Sequence, residues 1–203
     1  MRPRPLILGL ALIASPAAVA VADEVVLPDS KLGQQVAPLL LLTRPDVRAA
    51  LKLTDAQADG ARSTLKTLRG QAEDLKGQQG AMAVATRRSL VQAQRRWIDA
   101  QLSADQRGRL AQLDLQWEGP SSLVTRPAVA TALGLSEPQR QTLAQAVARR
   151  DELRARGRLK AEDERRLATE ALAALTADQQ REWRQMLGEP FAFQVAAAEA
   201  VKR

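Results

Sequence analysis

Leu53-Thr54-Asp55-Ala56-Gln57 is the first of four short stretches that share the pattern Leu-Ser/Thr-x-x-Gln. The others are Leu102-Ser103-Ala104-Asp105-Gln106, Leu135-Ser136-Glu137-Pro138-Gln139 and Leu175-Thr176-Ala177-Asp178-Gln179. This pattern is typical of a capping box, in which the hydroxyl group and the Gln side chain each accept a hydrogen bond from a backbone N–H at a helix start. Because those N–H groups have no partner within the helix, each box predicts a helix beginning, and the four together predict an all-α fold.

A longer stretch around the first box is repeated 82 positions further on. Residues 43–57 read TRPDVRAALKLTDAQ and residues 125–139 read TRPAVATALGLSEPQ, which are identical at eight of 15 positions. A second box follows 49 residues after the first box in one copy and 40 residues after it in the other. Gly119-Pro120 and Gly188-Glu189-Pro190 then stop the last helix of each copy. We therefore predict two tandem helical units related by an internal duplication.

Within each unit the apolar residues recur at helical spacing, which predicts antiparallel helical hairpins packed as a bundle. After the first box they step by three and four residues, and a turn is expected at Gly77–Gly80. The next segment carries an apolar seam, which is formed by Ala83/Val84, Leu90/Val91 and Trp97/Ile98. We expect this seam to pack on the preceding helix. We expect the tryptophans to lie in the core rather than on an exposed platform.

Proline residues mark two further helix starts. Pro45 and Pro127 suit the first turn of a helix, where the missing N–H group costs nothing. The preceding Thr43 and Thr125 are candidate caps for two short helices ending near residues 51 and 133.

The N-terminus has the three regions of a secretory signal peptide. Arg2 and Arg4 precede an apolar run over residues 6–14, and small residues lead to Ala20-Val21-Ala22, with cleavage after Ala20 as the alternative. The apolar run is shorter than the roughly 20 residues that span a bilayer, so a membrane anchor is the less favoured interpretation. We expect a periplasmic or otherwise exported protein. Its organisation would be a signal peptide (1–22), an N-terminal segment (23–42), a first unit (43–120), a second unit (121–191) and a tail (192–203).

The composition excludes most catalytic chemistry. The chain has no His, no Cys and no Tyr, which removes His-based acid–base catalysis, Ser–His and Cys–His nucleophiles, and the common zinc, copper and haem ligand sets. Neither common Gly-rich phosphate loop occurs. The acidic cluster at residues 162–164 is more typical of a helix start than of a cation site. We predict a protein that is not an enzyme, with no catalytic residue, no metal ligand and no cofactor.

The charge suggests the class of partner. The chain has 30 basic and 23 acidic residues, and loss of Arg2 and Arg4 with the leader leaves a net charge of +5. Anionic surfaces and acidic or unfolded polypeptides are plausible partners, whereas an exported chain would not meet nucleic acid. Candidate client-binding residues flank the apolar seam: Arg87, Arg88, Arg95 and Arg96. A second basic group lies at residues 149–158. Solvated helix faces neutralised by neighbouring acids are an equally weighted alternative for both groups.

The four boxes, in a chain expected to be exported, basic and all-helical, resemble those of the LTxxQ family of periplasmic proteins, also called Spy/CpxP-like proteins. The resemblance covers roughly residues 43–190, and it rests on the motif positions Leu53, Thr54, Gln57, Leu102, Ser103, Gln106, Leu135, Ser136, Gln139, Leu175, Thr176 and Gln179. It implies that these residues determine the fold, and that the protein forms a basic, partly apolar cradle that holds unfolded proteins without ATP. Family members carry two boxes and dimerise, so here one chain would form an intramolecular pseudo-dimer. The missing His residues argue against the metal sensing of some relatives.

Two functional hypotheses follow. The first is an ATP-independent periplasmic chaperone or envelope-stress modulator that binds unfolded or misfolded proteins. The second is a non-catalytic structural or adaptor module that binds one defined envelope partner. A broad basic and apolar concavity would favour the first hypothesis, whereas a single flat apolar patch with a polar rim would favour the second. Neither hypothesis requires stable membrane insertion after the leader is removed.

Overall fold

The computed structural model describes residues 27–194, so the predicted signal peptide and residues 195–203 lie outside the described part of the chain. Residues 27–194 form helices joined by short turns and contain no strand. The prediction of an all-α fold is thus confirmed.

The helices of the first half are α1 (Pro38–Leu41), α2 (Pro45–Ala50), α3 (Asp55–Glu73), α4 (Ala81–Gln101) and α5 (Ala104–Glu118). Those of the second half are α6 (Ser122–Thr125), α7 (Pro127–Ala132), α8 (Glu137–Ala155), α9 (Ala161–Ala173) and α10 (Ala177–Leu187). Short 3-10 turns occur at Asp29–Lys31 and Gly119–Ser121. The longest helices form two consecutive pairs, since α3 packs on α4 and α8 packs on α9.

Each Leu-Ser/Thr-x-x-Gln stretch lies at the start of a long helix, with its Ser or Thr at the N-cap position. At the first box, the Thr54 N–H donates to Gln57 Oε1 over 3.0 Å, and the Gln57 N–H donates to the Thr54 hydroxyl over 3.2 Å. The boxes that begin α5 and α10 have the same reciprocal pair of hydrogen bonds. At the start of α8, the Ser136 N–H donates to Gln139 Oε1 over 2.9 Å.

The glutamines of the two boxes in the first half also bind each other. Gln57 Nε2 lies 3.0 Å from Gln106 Oε1, and Gln106 Nε2 lies 3.2 Å from Gln57 Oε1. The remaining amide hydrogens bind backbone carbonyls, Gln57 to that of Gln101 and Gln106 to that of Leu51. This arrangement, which we call the glutamine clasp, joins the starts of α3 and α5 across 49 residues of sequence.

The second half contains a clasp with the same connections. Gln139 Nε2 donates to Gln179 Oε1 over 2.7 Å, and Gln179 Nε2 donates back over 3.2 Å. Gln139 also binds the carbonyl of Ala174, and Gln179 binds that of Leu133. Leu133 lies 82 positions after Leu51, which is the spacing between the two similar sequence stretches. Each half therefore holds its paired helix starts together by the same set of contacts.

The buried side chains form two hydrophobic cores, one in each half. Helix α5 contributes to both, because Leu113 and Trp117 lie in the first core and Leu115 lies in the second. Residues 27–42 also belong to the first core, which includes the fully buried Leu39. Trp183 is buried in the second core, and the half-buried Trp97 packs against the first. The two halves therefore share a helix rather than merely touching.

The short helices begin at proline as predicted, but the threonines before them are not caps. The N-cap residues of α2 and α7 are Arg44 and Arg126, and neither helix has a side-chain cap. The Thr43 hydroxyl instead donates to the Leu40 carbonyl over 2.6 Å and accepts from the Leu27 N–H. The reason is that a Thr hydroxyl at the end of a turn can donate to a nearby backbone carbonyl instead of accepting from the N–H groups of the next helix.

Both arginines of the repeated Thr-Arg-Pro sequence are held by two carboxylates each. Arg44 forms ion pairs with Asp29 at 2.6 Å and with Asp46 at 3.0 Å. Its Cζ also lies 5.1 Å from the centroid of the Trp117 ring. Arg126 forms ion pairs with Asp114 and Glu118 of α5. These pairs are substantially buried, so removing one partner of either network would leave an uncompensated charge inside the protein.

The C-terminal segment of the described chain returns from α10 to the first half. Phe193 packs edge-on against Trp117, with ring centroids 5.0 Å apart. The Gln194 N–H donates to Asp46 Oδ2 over 2.8 Å, and its carbonyl accepts from Arg44 Nη2 over 3.0 Å. We call residues 188–194 the C-terminal strap, since they connect the end of the second half to the core of the first.

The stability contributed by the contact between the strap and Asp46 should depend on pH. Burial favours the neutral form of Asp46, but hydrogen bonds from Arg44, the Gln194 N–H and the Val47 N–H outweigh it and lower the pKa of this carboxyl group. A lowered pKa stabilises the fold above the unfolded value of about 3.9, and the contribution is lost as pH falls through the folded value. Asp46→Asn should reduce the free energy of unfolding by about 1–3 kcal/mol at pH 7.

Thermal unfolding from pH 7 down to pH 3 tests this expectation. The difference between the wild-type protein and Asp46→Asn should shrink as the pH falls below about 4. Parallel curves over the whole range would contradict the assignment of this acid dependence to Asp46.

Candidate functional site

Helix α4 carries all four arginines that we selected as candidate client-binding residues, and its main neighbour is α3. Ala83 is buried on the packed side, and Trp97 and Ile98 pack against the first core. The predicted seam is wrong in one respect, because Val84 and Val91 are 43% and 61% exposed. Adjacent residues of a helix point about 100° apart, so along most of its length a helix with one principal neighbour leaves one member of an adjacent pair exposed, here Val84 and Val91.

One exposed face of α4 alternates between apolar and basic residues. Val84, Arg88, Val91 and Arg95 are spaced by four, three and four residues, which places them on one face of the helix. Val84, Arg87, Arg88, Val91 and Gln92 line a shallow depression of about 400 Å³. We call Val84, Arg87, Arg88, Val91 and Arg95 the α4 surface. Arg96 is exposed but lies about 100° around the helix from Arg95, so the structure separates it from this surface.

The arginines of the α4 surface lack carboxylate partners in the described part of the chain. No acidic oxygen of residues 27–194 forms an ion pair with Arg87, Arg88 or Arg95, and the only acidic residue of α4 is Asp99. Arg87 differs from the other two because its Nη2 donates to the carbonyl of Gln78 over 2.8 Å, in the turn before α4. Arg87 therefore also supports the local fold, whereas Arg88 and Arg95 are available to a partner.

The second basic group, on α8, has a different environment. Arg150 pairs with Asp151, Arg154 pairs with Glu164 of α9, and Arg156 pairs with Glu152. The alternative of a face neutralised by nearby acids therefore describes these three arginines. Arg149 and Arg158 of this group are exposed and form no ion pair with residues 27–194. The α4 surface differs because its unpaired arginines lie beside exposed valines.

An apolar groove of about 580 Å³ adjoins the α4 surface. It lies between the α3–α4 pair and the segment before α1, and its wall includes Leu65, Leu68 and Leu90. Val91 lines both the groove and the depression on α4, so the two form a continuous surface. The charged residues of the groove wall are Lys31 and Arg69, and no acid lines it.

Sequence reasoning did not identify Lys31 or Arg69 as parts of a site. Arg69 was visible as a basic residue next to Leu68 in the apolar stripe of α3. Lys31 lies in the segment at residues 23–42, where no pattern indicated a structure. The groove exists only because that segment folds back against α3 and α4.

Residues 27–194 contain no group of three or more acidic side chains placed to hold a metal ion. None of its helices combines the length and the apolar character needed to cross a bilayer. Comparisons with models of protein families, with curated proteins and with solved structures found no match.

Proposed function

We propose that this protein is an exported, LTxxQ-type (Spy/CpxP-like) helical protein that binds unfolded or misfolded polypeptides in the periplasm, without nucleotide and without catalysing a reaction. The observation that carries the proposal is the α4 surface, where unpaired arginines alternate with exposed valines beside an apolar groove. Unfolded chains expose apolar and acidic side chains together. A surface that offers both kinds of contact over a broad area suits many such chains rather than one defined partner.

Arginine is well suited to this task. Its aliphatic stem packs on apolar groups while its guanidinium group stays hydrated or pairs with a carboxylate. The groove adds Lys31 and Arg69 with no compensating acid in its wall, so the whole surface favours acidic partners. Since exposed charges are screened beyond roughly 10 Å at 0.1 M salt, association with acidic clients should slow as salt is added.

We further propose that the two halves arose by duplication and that together they replace a dimer of single units. The identical residues at eight of 15 positions and the matching glutamine clasps support this proposal. The halves have diverged in their exposed faces, since Arg150 and Arg154 of α8 have carboxylate partners, whereas Arg87, Arg88 and Arg95 of α4 have none among residues 27–194. Client binding would therefore reside mainly in the first half.

Light scattering from two unrelated, chemically denatured proteins, diluted with and without the mature chain, tests the proposed activity. The wild-type protein should suppress aggregation of both, and changing Arg87, Arg88, Arg95 and Arg96 to Gln should reduce suppression at least severalfold. A triple variant that keeps Arg87 preserves the contact with the turn before α4. It should lose nearly as much activity, because Arg88 and Arg95 carry the free charge.

A matched control changes the same number of exposed arginines elsewhere: Arg149, Arg156, Arg158 and Arg165 to Gln. This control has the same net charge as the α4 variant, so it should retain activity if the location of the charge matters. Suppression of neither client at a severalfold molar excess would refute the chaperone proposal and favour binding of one defined partner. Equal loss in both variants would assign the effect to net charge rather than to the α4 surface.

A further inference from the structure

A second cavity, of about 550 Å³, lies between the two halves and is separate from the α4 surface. Its wall combines the end of α5 with parts of α8, α9, α10 and the C-terminal strap. Most of the wall is apolar, including Leu32, Leu167, Leu172, Trp183, Leu187 and Phe191. Cavities of roughly 300–1,000 Å³ with mainly apolar walls are typical of sites for small ligands.

Two residues of this wall carry buried hydrogen-bond donors that have no acceptor within residues 27–194. They are Trp117, through Nε1, and Arg154, through Nη1. The nearest carboxylate oxygen paired with Arg154 Nη1 belongs to Asp151 and is 3.8 Å away, too far for a hydrogen bond. Each such group is costly to leave without a partner, and both groups are donors. The cavity is thus suited to a ligand that brings an acceptor.

Four charged groups line the cavity, namely Arg150, Arg154, Glu118 and Glu164. Glu118 is already held by Arg126, which leaves the two arginines to attract an anionic acceptor. Arg150 and Arg154 both line it, and their carboxylate partners Asp151 and Glu164 have side chains that are 56% and 48% exposed. These two acids can return to solvent at little cost if a ligand takes their place, since exposed ion pairs contribute little. A guanidinium group matches a planar carboxylate with two parallel hydrogen bonds.

We propose that this cavity binds a single-chain amphiphile with a carboxylate head group, that is, a fatty acid. The carboxylate pairs with Arg154, and the alkyl chain lies against the leucines of α9 and the aromatic rings of the strap. This inference does not depend on the proposed chaperone activity, because the cavity and the α4 surface share no residue.

Titration of the mature chain with cis-parinaric acid, whose fluorescence rises in an apolar environment, tests the proposal. Saturable binding with one site per chain is expected, and palmitate should displace the probe at least tenfold more effectively than hexadecanol, which has the same chain without the charge. Arg154→Gln should weaken binding about tenfold or more. Arg149→Gln, a neighbouring exposed arginine that does not line the cavity, is the matched control and should bind normally.

A second variant fills the cavity instead of changing its charge. Ala168 is a half-buried wall residue of α9, and Ala168→Phe should abolish binding while the thermal midpoint stays close to that of the wild-type protein. Normal probe binding by a folded Ala168→Phe variant would overturn the proposal. A lack of saturable binding to the wild-type protein, or equal displacement by palmitate and hexadecanol, would also overturn it. Loss of binding in Val84→Gln and Val91→Gln would place the ligand on the α4 surface instead.

Discussion

Replacing Arg126 with methionine is expected to lower the free energy of unfolding by about 3–5 kcal/mol, which is typical when one partner of a buried ion network is removed. Arg126 Nη1 lies 2.7 Å from Asp114 Oδ2, and its Nε lies 2.5 Å from Glu118 Oε2. The side chains of these two acids are only 6% and 0% exposed. Without the guanidinium group, two carboxylates would remain close together inside the protein with no compensating charge.

The pH dependence of this variant identifies the cause. Burial raises the pKa of Asp114, the nearby charge of Glu118 raises it further, and Arg126 opposes both effects. The variant should therefore have a still higher pKa at this position. A raised folded pKa means that the folded state gains stability as pH falls from neutral toward the unfolded value of about 3.9. Part of the lost stability should consequently return at pH 5.

Denaturant unfolding at pH 7 and pH 5 measures both effects. Arg149→Met is the matched control, since Arg149 is exposed and forms no ion pair with residues 27–194, and it should change stability by no more than about 0.5 kcal/mol. A loss below 1 kcal/mol in Arg126→Met at pH 7 would show that the network is not the buried structural element described above.

The second large effect is expected at the glutamine clasp. Gln57→Ala removes the acceptor for the Thr54 N–H, the hydrogen bond to the Gln101 carbonyl and the amide pair with Gln106. At about 1 kcal/mol for each net hydrogen bond, the expected loss is roughly 2–4 kcal/mol. Thr54→Ala removes only the cap acceptor and should cost about 1 kcal/mol. If Gln57 only capped the helix, Gln57→Ala and Thr54→Ala would lower the free energy of unfolding by similar amounts.

A double-mutant cycle separates the clasp from the caps. Gln57→Ala and Gln106→Ala should show an interaction energy of about 1–2 kcal/mol, because each removes the partner of the other. Gln57→Ala combined with Gln139→Ala, in the other half, is the control and should be additive within about 0.5 kcal/mol. Additivity in both combinations would mean that the amide pair contributes nothing to stability.

The sequence predicted the helix starts because capping is local. Thr54 and Gln57 are three residues apart, and their hydrogen bonds depend on nothing beyond the first helical turn. The clasp depends on residues 49 positions apart, so no local pattern contains it. One signal was nevertheless present. All four boxes end in Gln, although Glu would serve the box equally well, and only Gln has amide hydrogens left to donate.

The exposure of the candidate site was harder to predict for a related reason. Helical periodicity identifies an apolar stripe, but it does not state how many neighbours will cover that stripe. The spacing therefore places Val91 in a buried seam, whereas in the structure Val91 is 61% exposed. The pairing of Arg154 with Glu164 likewise requires that α8 and α9 pack together, whereas the pair of Arg156 with Glu152 follows from helix spacing alone.

The C-terminal strap constrains the order in which parts of the protein can fold during synthesis. Gln194 binds Asp46 across 148 residues of sequence, so the Arg44–Asp46 pair gains this partner only after residue 194 has left the ribosome. Contacts of such long separation form late, since closure of the intervening chain must come first. A nascent chain that ends before residue 193 consequently leaves Trp117 uncovered on the side of Phe193, so the first half is complete only after the second half has been made.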